Sequence, residues 1–337
     1  MPEPSPLPTR AAFEAGLETL LETHDGLGVF ILAQANAAFD PSVRARLDAP
    51  LKVRFDALST RLQSSATMTD ADDDVTVFRQ LQAIGLDALE PTQFRRVGPW
   101  EVQFNHLRAL RPKRMADAVI TQLHTPFDPA GFHFNKLFLR KEVFWSGAIA
   151  GHRVELLYNK FPFAPLHGIL VPEREAELPQ YLTETWHHAV WSITETLNAT
   201  LPGVGFGYNA YGAFASVNHL HFQLFAREEP LPAQQGRWGH NGGDLAYPTT
   251  VIRHEDPHEA WDAIASLHAA ATPYNLIYAP GHVLIFPRRY QGRYVHSAWT
   301  AGYAWYELGG GVTTFSRADF DRLGAADVAA ELTRLQS

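Results

Sequence analysis

The sequence predicts an α+β protein of antiparallel sheet with flanking helices, and three observations predict it. Apolar residues recur at helical spacing early in the chain. Past residue 100 the pattern changes to short β-rich runs broken by Pro and Gly. Two of those runs form similar hairpins, within 156–171 and 274–286, each followed by a proline, Pro172 and Pro287. The repeated hairpin points to an internal duplication. A chain of 337 residues with 46% hydrophobic content can bury one large core or two modest ones.

The elements follow in order. Residues 1–10 are Pro-rich and polar without an apolar core segment, so neither a secretory signal nor a membrane span is expected and the cytoplasm is the default location. Phe13, Leu17, Leu20 and Leu21 give a helix over 11–23, and Leu47, Leu51 and Phe55 another over 43–62. The stretch 64–74, with Asp70, Asp72, Asp73 and Asp74, reads as a solvated loop rather than a metal site. Strands are expected over 101–105, 154–158 and 168–171. A helix is expected over 179–198, with Leu182, Trp186, Ala189, Val190 and Ile193 on its apolar face, and strands over 205–211 and 217–225. A loop rich in Gly, Gln and Pro, 229–244, leads to a second unit whose hairpin joins 274–277 to 283–286 through Ala279, Pro280 and Gly281. The expected organisation is a helical region at 1–95, one unit at 96–228 and a second at 229–337.

Composition excludes several function classes. A net charge of −8 disfavours a nucleic-acid-binding surface, which draws its affinity from clustered Lys and Arg. With no cysteine, disulfides and thiolate chemistry are excluded. The Gly309, Gly310, Gly311 run is followed by no Lys-Ser or Lys-Thr and reads as a strand-flanking turn rather than a phosphate loop.

The chemistry concentrates at 218–225. Strict alternation puts His219, His221 and Gln223 on one face of a strand and Leu220, Phe222 and Leu224 on the other. A polar stripe in an aromatic-rich strand is costly unless it is used, and two imidazoles with an amide can present a nucleophile, orient it and bind an anion. Metal ligation is the weaker reading. His-x-His supplies two ligands where zinc sites take three or four, and Glu228 and Glu229 lie past the strand's end. Adjacent His187 and His188 read as surface or capping residues, and His106, His124, His133 and His152 are too scattered for a metal cluster.

The run 216–223, SVNHLHFQ, resembles the active-site strand of the histidine-triad superfamily, in the branch where glutamine replaces the third histidine. That branch includes galactose-1-phosphate uridylyltransferase, the dinucleoside tetraphosphate phosphorylases and the GDP-hexose phosphorylases. Similarity to the GDP-L-galactose and GDP-D-glucose phosphorylases extends through Gln103-Phe104-Asn105, Arg111-Pro112, Pro126-Phe127-Asp128 and 132–136. It resumes at 273–277 and 305–309, so that it covers roughly 97–332. The segment 159–167, NKFPFAPLH, departs from that pattern and is similar to the dinucleotide phosphorylases instead.

The resemblance implies a fold of two histidine-triad-like units and a two-step reaction. His221 attacks the α-phosphorus of a nucleoside diphosphate hexose, with GDP-hexose favoured, and expels a sugar 1-phosphate. Inorganic phosphate then releases the nucleotide from the nucleotidyl-histidine. A dinucleoside polyphosphate of the Ap4A type is the alternative substrate, and a non-catalytic nucleotide- or metal-binding module is the alternative of another class. The nucleophilic nitrogen must be unprotonated, so the other ring nitrogen needs an acceptor, expected to be a backbone carbonyl. Gln223 can donate to a phosphoryl oxygen but cannot protonate a leaving group, which suits transfer between phosphates. His219 is expected to orient the strand, Ser216 and Asn218 to donate to phosphate oxygens, and Lys160 to supply the site's cation. Lys136, Asn135, Asn159 and Asn275 are further binding candidates, the two asparagines 159 and 275 at matching places in the suspected repeats. The expected partners are the nucleotide substrate and inorganic phosphate, with a homodimer possible, and no metal, other cofactor, nucleic acid or membrane.

Overall fold

The computed structural model describes residues 6–64, 70–111 and 119–336. Part of the expected acidic loop, residues 65–69, and Pro112 lie outside the described residues.

Four helices open the chain: α1 (Arg10–Thr23), α2 (Leu27–Phe39), α3 (Pro41–Gln63) and α4 (Asp72–Ile84). α1 starts where the Thr9 hydroxyl accepts from the Ala12 amide, and α3 where Asp40 accepts from Ser42 with Pro41 in the first turn. Two of the four escape sequence reasoning. α2 (LGVFILAQANAAF) is buried at nearly every position, so it has no polar face to reveal a 3.6-residue period. α4 begins inside the acidic run expected to be loop. Asp72, Asp73 and Asp74 occupy its first turn, where carboxylates complement the helix dipole, and Asp70 accepts from the Leu27 amide at 2.7 Å.

Two sheets follow. β1 (Gln93–Val97), β2 (Trp100–Phe104) and β11 (Gly311–Thr314) form a small sheet in which β2 and β11 run parallel, tying the beginning of the β region to the end of the chain. The large sheet has eight strands, each antiparallel to its neighbours, in the order β3-β4-β5-β7-β6-β9-β10-β8. They are β3 (Val143–Ile149), β4 (His152–Tyr158), β5 (Gly168–Pro172), β6 (Val204–Asn209), β7 (Phe222–Ala226), β8 (Ile252–His254), β9 (Tyr274–Ala279) and β10 (His282–Pro287). The hairpins β4-β5 and β9-β10 lie on opposite sides of the central β7-β6 pair. Helices α5 (Glu184–Leu197), α6 (Pro257–Ala269), α7 (Trp305–Leu308), α8 (Arg317–Arg322) and α9 (Ala325–Thr333) complete an α+β architecture. No helix among the described residues is long and apolar enough to cross a membrane.

Alternation along the strands divides the core by face. Leu170, Phe206, Tyr208, Phe222, Leu224, Leu276 and Tyr278 join one core with α1–α6. Phe225, Ile277, Leu284 and Phe286 join a second with Trp100, Trp305, Tyr306 and the C-terminal helices. The site lies on this second face.

Three expectations are corrected. The helix expected from 179 begins at Glu184, capped by Thr183, because Gln180 is drawn into the histidine segment. His187 is not a surface residue: it is fully buried, with Nδ1 against the Tyr278 hydroxyl at 2.8 Å and Nε2 against the Pro257 carbonyl at 2.9 Å. The strand expected over 217–225 starts at Phe222, leaving His219 in a bend and His221 in the irregular residues just ahead of the strand.

Candidate active site

Loss of strand pairing before Phe222 frees the backbone of His219 and His221 for other bonds, and those bonds build the site. The His221 amide donates to Gln180 Oε1 at 2.9 Å. Gln180 Nε2 donates to the Asn209 carbonyl at 2.8 Å and to the His221 carbonyl at 3.4 Å. One buried amide thus takes the place of a neighbouring strand. The alternation still holds locally: Leu220 and Phe222 enter the first core while His221 and Gln223 face the other way.

The His221 ring is 4% exposed, and its Nδ1 lies 2.8 Å from the carbonyl oxygen of His219. A carbonyl only accepts, so Nδ1 carries the proton and the lone pair is on Nε2. Burial, reinforced by the charge of Arg111, pushes this imidazole down to about 4, against the opposing pull of the His219 carbonyl. It is therefore neutral at pH 7. His219 is fully buried and pushed down to about 3 by burial and by the neighbouring His221 and His133; its Nδ1 accepts from the Phe134 amide at 3.2 Å. The Phe134 ring covers both imidazoles, with centroids 5.6 Å from His219 and 5.1 Å from His221.

Gln223 sits on β7 opposite Ile169 and Gly207. Its Oε1 lies 3.2 Å from Nε2 of His167, a buried residue just ahead of β5. His167 Nδ1 accepts from the Phe163 amide at 3.1 Å, so Nε2 carries the proton and donates to Gln223. With the oxygen of Gln223 fixed in this way, its NH2 is turned outward as a donor. Burial pushes His167 down to about 3, so it too is neutral. Leu166, at φ 52, makes the left-handed turn that brings His167 into position.

Gly207 is required here. The Trp305 indole crosses its Cα, and a Cβ would be driven into the ring. Trp305 in turn stacks on Phe225 at 5.0 Å.

The other expected site residues divide. Ser216 accepts from the Arg111 guanidinium at 3.2 Å and stays with the histidine segment. Asn135 and Lys136 lie in the loop that carries Phe134, with the Asn135 amide donating to His133 Nδ1 and Lys136 Nζ 3.5 Å from the Pro129 carbonyl. Asn159 accepts from the Phe161 amide, and its Nδ2 lies 3.2 Å from His167 Nε2, which already donates to Gln223, so this approach is a contact and not a hydrogen bond.

Asn218 does not have the expected spare donor. Its oxygen accepts from the Gln180 amide and its nitrogen donates to the carbonyls of Thr125 and Pro126, so it fastens the loop around the site. Asn275 is fully buried in a network with Asn209, the Ala213 carbonyl and Arg288, contacts that differ from those of Asn159. Lys160 pairs with Asp74 at 3.0 Å and Glu142 at 3.7 Å, so its charge is taken up against α4.

Sequence reasoning assigned no role to Gln180, His167, Arg108 or Arg111. Arg111 and His167 lay inside segments singled out for similarity, which was the available signal. Gln180 had none, because the segment read as helix. Among the described residues no group of three His, Cys, Asp or Glu side chains is placed to hold a metal ion.

Residues 100–225, which hold the histidine segment, match the family model described as GDPGP1-like, N-terminal domain. Over this part the chain is similar to GDP-hexose phosphorylases. GDP-D-glucose phosphorylase 1 of Danio rerio is 34% identical over 137 residues, which cover 40% of this chain and 38% of that protein. The Homo sapiens protein of the same name is 29% identical over 191 residues, covering 52% and 49%. GDP-L-galactose phosphorylase 1 of Arabidopsis thaliana is 26% identical over 148 residues, covering 40% and 33%. The matches thus span less than half of each of these relatives' length. Among solved structures, yeast Ap4A phosphorylase Apa2 in complex with Ap4A aligns with 80% of this chain and 100% of its own, at 14% identity and a TM-score of 0.47.

Proposed function

We propose that this protein is a nucleotidyltransferase that cleaves a GDP-hexose with inorganic phosphate through a nucleotidyl-histidine on His221. The observation that carries the proposal is the bond from His221 Nδ1 to the His219 carbonyl in a ring that burial keeps neutral, which leaves Nε2 as the nucleophile. The names of the relatives supply the substrate class.

In the first half-reaction Nε2 attacks the α-phosphorus, a P–N bond forms, and the bond to the bridging oxygen breaks to release hexose 1-phosphate. The ring then carries a positive charge, and the His219 carbonyl stabilises the Nδ1–H that shares it. The leaving group is already a phosphate and needs no proton, so the NH2 of Gln223 has only to donate to a phosphoryl oxygen. In the second half-reaction an oxygen of inorganic phosphate attacks the same phosphorus, the P–N bond breaks, and GDP leaves with His221 neutral again. The same reading takes 96–228 and 229–337 as two histidine-triad-like units following a helical region at 1–95, the first carrying the nucleophile and the second completing the pocket.

The test is to incubate the protein with nucleoside diphosphate sugars and dinucleoside polyphosphates, with and without phosphate, beside His221→Asn, and to identify products by mass spectrometry. The expected result is phosphate-dependent GDP and hexose 1-phosphate, absent in the variant. Cleavage of dinucleotides alone, or activity that survives in the variant, overturns the proposal.

A further inference from the structure

Two largely apolar strands of the large sheet each carry a buried asparagine at the same level. The register sets Asn209 on β6 opposite Asn275 on β9, with Asn209 4% exposed and Asn275 fully buried. Side-chain amides inside a sheet are destabilising unless their donors and acceptors are bonded. Asn275 uses its oxygen and both amide protons, and the partners fix its direction. Arg288 can only donate, and does so to Asn275 Oδ1 at 3.3 Å. The Asn275 Nδ2 group therefore faces Asn209 Oδ1, at 2.7 Å, and the Ala213 carbonyl, at 2.9 Å. Asn209 Oδ1 also accepts from the Trp305 amide at 3.0 Å, so it is held from two sides.

The main chain of Asn209 carries the constraint onward. Its carbonyl accepts from Gln180 Nε2 at 2.8 Å, and Gln180 Oε1 accepts from the His221 amide at 2.9 Å. Arg288, Asn275, Asn209 and Gln180 thus form one buried relay of hydrogen bonds that ends on the backbone of His221. The loop between β6 and the histidine segment is held from the same source. Gln291 Oε1 accepts from the Phe214 amide at 2.8 Å, and the Arg288 guanidinium lies 5.0 Å from the centre of the Phe214 ring. Phe214 sits at φ 67, a left-handed conformation unfavourable for a residue with a Cβ, and a Cβ at Gly302 would strike its ring. Such strain persists only where the surroundings over-determine it. Among the described residues no carboxylate pairs with Arg288, whose remaining donors go to the Arg289 and Tyr303 carbonyls and the Tyr294 hydroxyl. A fully buried guanidinium bonded only to neutral groups is a demanding way to fasten two strands, and it fastens them at the approach to the histidines.

We propose that Asn275 is a positioning residue for His221: through Asn209 and Gln180 it sets the backbone at 221, and with it the line along which Nε2 meets the phosphorus. What β9, β10 and the loop after them contribute to the reaction is alignment of a nucleophile that lies outside them. The weight of this alignment in catalysis rests on the phosphorolysis reading, whereas its effect on the His221 ring does not. A network that only stabilised the fold would leave ring and rate untouched in any variant that folds.

The test uses the full chain and two substitutions. Asn275→Asp keeps the shape and the acceptor for Arg288 but loses both donors, and Asn275→Leu loses all three bonds. In the spectroscopic arm, nitrogen NMR of labelled histidine reports each ring nitrogen, with His221 identified by its absence in His221→Asn. The parent should show Nδ1 protonated and Nε2 bare. In both variants the His221 signals should move toward an average of the two tautomers, while His187, bonded to Tyr278 and Pro257 outside the relay, stays in place. In the kinetic arm, single-turnover formation of the nucleotidyl-enzyme should slow by about 10- to 100-fold with GDP affinity unchanged. In a Gln180→Leu background Asn275→Asp should have little further effect. If Asn275→Leu fails to fold, Asn275→Asp still decides. A folded Asn275→Asp with either the ring signals or the rate of the parent overturns the proposal, and so do losses that add in the Gln180→Leu background. A parent that forms no nucleotidyl-enzyme overturns the reaction, and the ring signals then decide the coupling by themselves.

Discussion

Replacing His187 with glutamine gives a sharp test of how burial governs the histidines of this protein. His187 is fully buried near the start of α5, and its two nitrogens are both used. Nε2 donates to the Pro257 carbonyl and Nδ1 accepts from the Tyr278 hydroxyl. Burial pushes it down to about 4, helped by the charges of His188 and His258 and opposed by the Pro257 carbonyl. In the unfolded chain it titrates near 6.5. Between these values the unfolded state binds the extra proton, so stability rises with pH across the window and is lost as pH falls from about 6.5 toward about 4. Integrating that slope from pH 7 to pH 5 gives a loss of about 2 kcal/mol from this one residue. Glutamine retains a donor and an acceptor but cannot titrate. Urea unfolding of the parent and His187→Gln at pH 7 and pH 5 isolates the effect, because every other titrating group, including the oppositely shifted Glu142 and Glu307, is common to both. The variant should lose about 2 kcal/mol less than the parent on acidification. Parallel losses in the two proteins would refute the reasoning.

The same physics reaches the site. With His221 titrating at about 4, formation of the nucleotidyl-enzyme should hold nearly constant from pH 7 down to pH 5.5; a roughly tenfold fall over that range, as a histidine at 6.5 would give, contradicts the burial argument. His167→Leu should release Gln223 and slow nucleotidyl transfer about 10- to 100-fold with little change in KM, and should cost almost nothing further in a Gln223→Leu background. Additive losses in that cycle would show that His167 acts only through folding. Gly207→Ala should destabilise the protein by about 1–3 kcal/mol in urea unfolding, because Trp305, held against Phe225, has no room to retreat from the new methyl group. A variant as stable as the parent would place the indole elsewhere.

Sequence alone determined what depends on local pattern. Periodicity located α1, α3 and α5 to within a few residues, since each has one wet face and one dry, and alternation located β2, β4, β5, β6, β9 and β10. It missed α2, whose all-round burial erases the period, and α4, whose acidic first turn imitates a loop. His219, His221 and Gln223 were legible because three polar groups at alternate positions stand out from an apolar run.

Tertiary structure decided which groups serve those three. The carbonyl that fixes the His221 tautomer belongs to His219, two residues away, yet it is free to do so only because Gln180 replaces strand pairing at 221. Gln223 is aimed by His167, and the sheet alone makes them neighbours, since the register sets Gly168 opposite Leu224. Lys160, sound by residue type as a phosphate-binding cation, has its charge compensated by Asp74 on a helix the sequence did not announce. Residue type and spacing are properties of a segment. Charge, protonation and aim are properties of what surrounds it, and burial sets them at a distance no local pattern encodes.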